Sequence, residues 1–463
     1  MTEKSKYHLL YLIGAVINAS LGFLFWGYSF SVFNSLKSFI QKEVFPGVAP
    51  DIVFLIITAP FASATIGAFL AGPIATTIGR RKLLIISNLV GIGAVLTTLV
   101  SSVPIIIIGR AILGLVLGIF SVIVPLYILE ISPPKYRGQT FGIASTLRSL
   151  GNLIAFIEGF AVPSSLSMGD SSQIWRILLA ISIIGPLLSV LGYLFLFKHE
   201  TPYFLVSIDN LEEAETSLRK INKTDVNEHL EEIIAEKDYV TSQGEVKYRH
   251  LFSKKFRNAL IVSLVLMITR ELSLSDVISI NAQDLYSLGP KDPFETFPKV
   301  LTIVYGSVQF LTDLMKNIFS EKINDRYAVI TGTFGMGLCS ILYGTFGLTL
   351  GQEAITPKIF LLIWPIFYAL SLSSFSFQHA SLIFPPKIVA LSTAVNWAFA
   401  FLTVQFYPRT KELVGQNQLF IILGGIILLA VPYFWKYLIV PKEKNQHQLL
   451  EEYRQGEANS EIF

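Results

Sequence analysis

Hydrophobic residues make up 52% of this 463-residue chain and charged residues only 15%, so its few charges are where chemistry is to be sought. Two short blocks stand out. Gly79-Arg80-Arg81-Lys82 joins two apolar stretches, and the segment from Pro125 to Gly138, carrying Glu130, Lys135 and Arg137, joins the next two. A third group, Arg270, Glu271 and Asp276, lies inside an apolar run. There an ionised group costs roughly 3 kcal/mol or more unless it is paired or wetted. Arginines at helix ends can bond the carbonyls of helix C-termini and pair with carboxylates in several discrete geometries. The acids available for this are Glu130, Glu200 and Glu321, and the bases are Arg80, Arg81, Arg137 and Arg326. Pairs made in one state and broken in another bias a two-state equilibrium, which makes these residues candidates for a gate. Simple anchoring at a membrane surface is the alternative.

The elements that must hold these residues are apolar helices. A mean hydropathy of +0.58 and a charged fraction well below the roughly 25% of soluble domains exclude a large soluble enzyme. Apolar runs of about 20 residues, long enough to cross a bilayer, recur along nearly the whole chain. They predict an all-α polytopic membrane protein of about twelve spans, near 9–33, 52–76, 82–100, 104–129, 139–162 and 176–197, then 258–286, 298–320, 327–349, 357–382, 388–407 and 417–440. The expected organisation is an N-terminal six-helix half (1–197), a linker of short amphipathic helices (198–256), a C-terminal six-helix half (257–440) and a tail (441–463). Two such halves facing each other would hold a solute near the midplane. Lysines and arginines gather on one side, so both termini are expected to be cytoplasmic, and the plasma membrane is the default location. The net charge of +3 gives no ground for nucleic-acid binding. One cysteine, Cys339, excludes an internal disulfide, and six histidines without ligand spacing suggest neither metal, cofactor nor enzyme chemistry. Oligomeric state is not legible.

Several motifs in order resemble the sugar porters of the major facilitator superfamily, the group that includes the facilitative glucose transporters. They are Gly27-Tyr28, Gly79-Arg80-Arg81, Gly109-Arg110 with Gly114 and Gly118, and Pro125-Leu126-Tyr127 through Arg137-Gly138. Glu200-Thr201-Pro202, Asn396-Trp397 and an eroded Pro441-Lys442-Glu443-Lys444 follow. The resemblance spans the chain and is stronger in the first half. It implies a major facilitator fold, a small-molecule solute (a hexose or related polyol), and the lipid bilayer as surroundings.

The resemblance also implies site positions, and here the chain departs from the family. The fifth-span glutamine becomes Ser149, next to Arg148; the seventh-span Q-Q-L-S-G-x-N becomes Arg270-Glu271-Leu272-Ser273-Leu274-Ser275-Asp276. Gln309 stands on the eighth span, Phe377 nearest the tenth-span tryptophan, and Asn396 and Trp397 on the eleventh. Glu271 and Asp276 would accept from polyol hydroxyls with Arg270 as donor, or Arg270 and Glu271 would pair with neighbours such as Glu158 or Arg148. In the second G-R-R of the family, Asn324-Asp325-Arg326 stands instead, which weakens an expected Glu321–Arg326 pair. Ser29 replaces the aspartate of proton-driven members, while Arg110, grouped with the gate residues, keeps the position of its partner. Facilitative uniport of a hexose is therefore expected, with Glu158 as a possible proton site. Transport of another solute (a polyol or organic anion), or a non-transporting nutrient sensor, is the alternative.

Overall fold

The computed structural model describes residues 6–162, 173–242, 256–289, 296–440 and 452–453, and among these every regular element is helical. The 441–444 motif and most of the expected tail lie outside the described residues. The first half contains α1 (Leu9–Phe39), α2 (Pro50–Ile78), α3 (Arg80–Thr98), α4 (Val103–Ile131), α5 (Arg137–Glu158) and a sixth span made of α6 (Ile174–Ile181) and α7 (Ile184–Phe195). Three amphipathic helices follow: α8 (Pro202–Ser207), α9 (Leu211–Ile221) and α10 (Val226–Ser242). The second half comprises α11 (Arg257–Leu272) with α12 (Ser275–Tyr286), α13 (Phe297–Ile318), α14 (Asp325–Leu350), α15 (Ile355–Leu370) with α16 (Leu372–Ile383), α17 (Pro386–Val414) and α18 (Gln416–Tyr437).

Ten of these spans are long and apolar enough to cross a membrane. The seventh (α11–α12) and eighth (α13) fall short; the first is broken and carries Arg270, Glu271 and Asp276, the second carries Lys299, Asp313 and Lys316. The first helix runs past its expected end at 33, because Leu36 and Phe39 are buried and packing carries it on to a π-turn over Ile40–Val44. The eleventh span likewise extends through Pro408 to Val414 rather than ending at 407.

Small residues set the helix spacing. A Cβ on Gly67, Gly114 or Gly118 would fall 2.1–2.2 Å from an atom of the facing helix, so α2 and α4 touch backbone to backbone. The sixth span breaks where Pro186, lacking an N–H, cannot bond back to Ser182. The seventh breaks at Leu274, held in the left-handed region at φ 62°, the position where the resembled family has glycine. The tenth breaks at Ser371 (φ −114°, ψ −94°). The last two breaks fall at mid-span and free backbone and side chains to line the interior.

Candidate functional site

Near the midplane, α1, α5, α11–α13, α15–α17 and α4 bring polar and aromatic side chains together. Arg270 and Glu271, consecutive at the end of α11, pair with each other, both fully buried. The Arg270 guanidinium lies 5.1 Å from the Phe377 ring centroid and 5.8 Å from that of Trp26, and its Nη1 donates to Asn396 Oδ1 at 3.4 Å. The expected partners Glu158 and Arg148 are engaged elsewhere. Glu158 accepts from the Tyr28 hydroxyl, and Arg148 Nη2 donates to Tyr368 Oη (3.2 Å) and Ser373 Oγ (3.4 Å) across the two halves.

The other expected contacts differ in how available they are. Gln309 Oε1, Asn396 Nδ2, Asp276 Oδ2, Glu271 Oε2 and Arg270 Nε are buried without a hydrogen-bond partner. Asp276 sits in the first turn of α12, where the helix dipole favours a carboxylate. Ser149 turns its hydroxyl back onto its own helix, to the carbonyls of Ser145 and Thr146. The Trp397 indole N–H donates to Ser121 Oγ at 2.9 Å, and its ring lies against Trp26 at 5.0 Å. None of Arg270, Glu271, Gln309, Phe377, Asn396 and Trp397 exceeds 4% exposure, so this centre is sealed from both faces.

Two residues central to this geometry were not among the sequence-derived candidates, Trp26 and Asp313, and Arg148 was expected only as an ion-pair partner of the seventh-span charges. The Asp313 carboxyl is buried on α13 beside the Ser149 and Ser373 hydroxyls and Arg148. Its spacing one turn past Gln309 on α13 was the available signal, as the apolar run around it hides an acid only if that acid has a task.

Sealing at the face opposite the cation-rich one comes from α1 and α12. Lys37 Nζ bridges Asp284 (2.5 Å) and Asn281 (2.8 Å); Asn34 Oδ1 accepts the Gln283 N–H, and Gln283 Nε2 donates to Ser35. At the cation-rich face the charges form two connected clasps within the first half. Arg80 pairs with Glu130 at 2.7 Å, and Glu130 also accepts from Thr201 Oγ1 at 2.5 Å. Glu200 accepts the backbone N–H groups of Arg81 (2.8 Å) and Thr201 (3.0 Å), capping α3. Gly79 makes this possible: it turns at φ 92°, and a Cβ there would lie 2.5 Å from Glu200 Oε2. Burial pushes the Glu200 carboxyl above the ordinary glutamate range, and the N–H groups of Arg81, Thr201 and Lys82 oppose that rise. The Arg81 side chain donates to the carbonyls of Phe197 (2.9 Å) and Tyr193 (2.7 Å) at the end of the sixth span.

Contacts between the halves at this face are different ones. Gln139 donates to Glu321 at 3.1 Å across the halves, while within the second half Arg326 on α14 donates to the Trp435 carbonyl on α18 at 2.6 Å, so the expected Glu321–Arg326 pair is replaced by partners on other helices. Arg137 faces a cavity of about 370 Å³ shared with Glu130, Tyr203, Glu236 and Phe384. Arg110 lies far from this face: its guanidinium donates to the carbonyls of Ile56 (3.1 Å) and Ser29 (3.0 Å) and covers Phe33.

Two helical halves around a sealed polar centre, with clasped charges at one face, define a solute transporter of the major facilitator type. The chain belongs to the sugar (and other) transporter family, whose model matches residues 14–454. It is a sugar transporter integral to the membrane and not an enzyme. Over 458 residues it is 25% identical to plastidic glucose transporter 4 of Arabidopsis thaliana, covering 96% of this chain and 80% of that protein. It is 26% identical to the D-xylose transporter of Levilactobacillus brevis, covering 96% and 95%. The fold matches the proton:xylose symporter XylE bound to 6-bromo-6-deoxy-D-glucose with a TM-score of 0.85 at 21% identity, covering 96% of this chain and 100% of that one.

Proposed function

We propose that this transporter carries a neutral hexose by facilitative uniport, alternating the exposure of its midplane site between the two faces. The observation that carries the reading is the set of buried polar groups gathered at the centre, where Arg148, Arg270 and Lys316 lie among Glu271, Asp276 and Asp313. The centre offers unpartnered donors and acceptors (Asn396 Nδ2, Arg270 Nε, Gln309 Oε1, Asp276 Oδ2) beside aromatic faces, the complement of a polyhydroxylated ring. Ser29 brings no titratable group to Arg110, which is held by carbonyls instead; that supports uniport. The clasps at Arg80–Glu130 and Arg81–Glu200 would serve as gate elements by keeping the first half rigid as the halves rock. The halves are read as 1–197 and 257–440 around the linker, with the cation-rich face and both termini cytoplasmic in the plasma membrane.

One observation favours a second reading, proton-coupled symport: Asp313 is a buried carboxyl group at the centre, beside the Ser149 and Ser373 hydroxyls. Uptake into proteoliposomes separates these. D-glucose selectivity over L-glucose with no response to an inward proton gradient supports uniport. Accumulation driven by the gradient replaces it with symport, and exclusion of both sugars removes the hexose.

A further inference from the structure

Tyr453 lies well beyond the last span, yet it is 3% exposed and bonded to three separate elements of the second half. Its hydroxyl is 2.7 Å from His379 Nε2 on α16 and accepts the Ile439 N–H at 3.1 Å. Its carbonyl accepts from Asn258 Nδ2 on the first turn of α11 at 3.0 Å. His379 is fully buried, and its other ring nitrogen is 3.2 Å from Ser263 Oγ, also on α11. The two rings meet edge to face, 5.9 Å apart at 86°. In either neutral tautomer of His379 the hydroxyls of Tyr453 and Ser263 can rotate to satisfy both ring nitrogens, so the node is complete without a charge.

The node matters because of where α16 begins. The tenth span is broken at Ser371, so α16 has no continuous backbone helix tying it to α15. The middle of α16 carries Phe377, which covers Arg270 at the midplane; its C-terminal end carries Leu382 and leads into Phe384, which face the cavity between the halves. A half-helix hinged at one end and placed between the site and the cation-rich face moves only as far as its side contacts allow. His379 bonds Ser263 on α11 directly, and Tyr453 adds bonds to Asn258 at the start of α11 and to Ile439 in the chain after α18.

We propose that Tyr453 is a positioning residue for transport: by docking on His379 it holds α16 against α11 and so sets how readily the cation-rich side opens. The proposal rests on the transporter fold and not on which sugar is carried, and its test needs no sugar. Tyr453→Phe keeps the ring in place and removes only the hydroxyl. In a Cys339→Ala background, Ser381→Cys puts a thiol on α16 where the wild-type hydroxyl is 2% exposed and lines the cavity. In nanodiscs, where both faces are open to a polar maleimide, Tyr453→Phe should raise the Ser381→Cys modification rate about fivefold, the effect of losing roughly one net hydrogen bond on an opening equilibrium. His379→Phe should raise it similarly, and combining the two should add little, as both cut the same bond. A rate unchanged by Tyr453→Phe overturns the proposal, as does a Tyr453→Phe and His379→Phe pair whose effects simply multiply. Should Tyr453→Phe unfold the protein, the buried native Cys339 on α14, kept as the one thiol in a parallel sample, would react as fast as Ser381→Cys, and that outcome would likewise count against a local role.

Discussion

At the scale of single residues, the seventh-span charges show how a costly pair is held. Two ionised side chains out of water lose more in desolvation than most pairs regain, and removing one partner from such a pair costs about 3–5 kcal/mol. Arg270 and Glu271 escape that cost through each other, through Asn396 and through two aromatic faces. Glu271→Gln should therefore lower the thermal stability of the purified protein by several degrees, and Arg270→Gln should do the same. The double variant should recover most of the loss, because no uncompensated charge is left. Thermal unfolding in detergent measures this, and a double variant as unstable as the sum of the singles would rule it out. A second residue-level expectation concerns Ser29. Replacing it with aspartate puts a carboxylate beside Arg110, where one guanidinium nitrogen, Nη2, is without a partner. Ser29→Asp uptake should become pH-dependent where the parent's is flat, which uptake across pH 5.5–8 would record. Arg270, Glu271 and Asp276 were legible in the sequence as misplaced charges, because an apolar run makes any charge conspicuous. Which partners they take was not, since Arg270 bonds a residue on α17 and stacks on one from α1, and such contacts depend on how the helices cross. Asp313 was missed for the opposite reason: a single acid near a helix end looks like surface until the packing shows it buried.

At the scale of elements, hydropathy found each span to within a few residues, and it failed only where packing or mid-span breaks took over. The first helix overran because its last turns are packed, which local propensity does not register. The breaks at Leu274 and Ser371 were invisible because neither residue type announces a turn. The contact between α2 and α17 joins the two halves near the cation-rich face. There a Cβ on Gly72 would lie 2.6 Å from the Pro386 carbonyl oxygen, so the backbones nearly touch. Gly72→Val should wedge this face apart, at about 1–3 kcal/mol of overpacking in the closed arrangement. Its expected signature is faster modification of Ser381→Cys with little loss of folded protein. On the far side, Lys37→Ala should release α12 from α1 and raise the accessibility of a cysteine at Gln283; no change there would show that the Lys37–Asp284 bridge holds nothing shut.

At the scale of the whole molecule, alternating access requires contacts across the halves to break while those within a half persist. Gln139 and Glu321 touch across the halves at 3.1 Å through long side chains, so a cysteine at each, in a Cys339→Ala background, should be joined by a short bifunctional maleimide and transport should stop. Transport that continues in the cross-linked protein would mean that this face does not need to part. The two halves also differ in when their parts are made. The first half is completed by α8 and α9, whose Glu200 seat and Tyr7–Asn222 bridge join the linker to the start of the chain, all of it translated before α11 begins. Among the described residues, the second half takes a packed side chain from Tyr453, far past its final span. A ribosome making this protein thus releases one half ready to settle in the bilayer while the other still waits on its tail. The waiting half is the one that chaperones and quality control would meet unfinished.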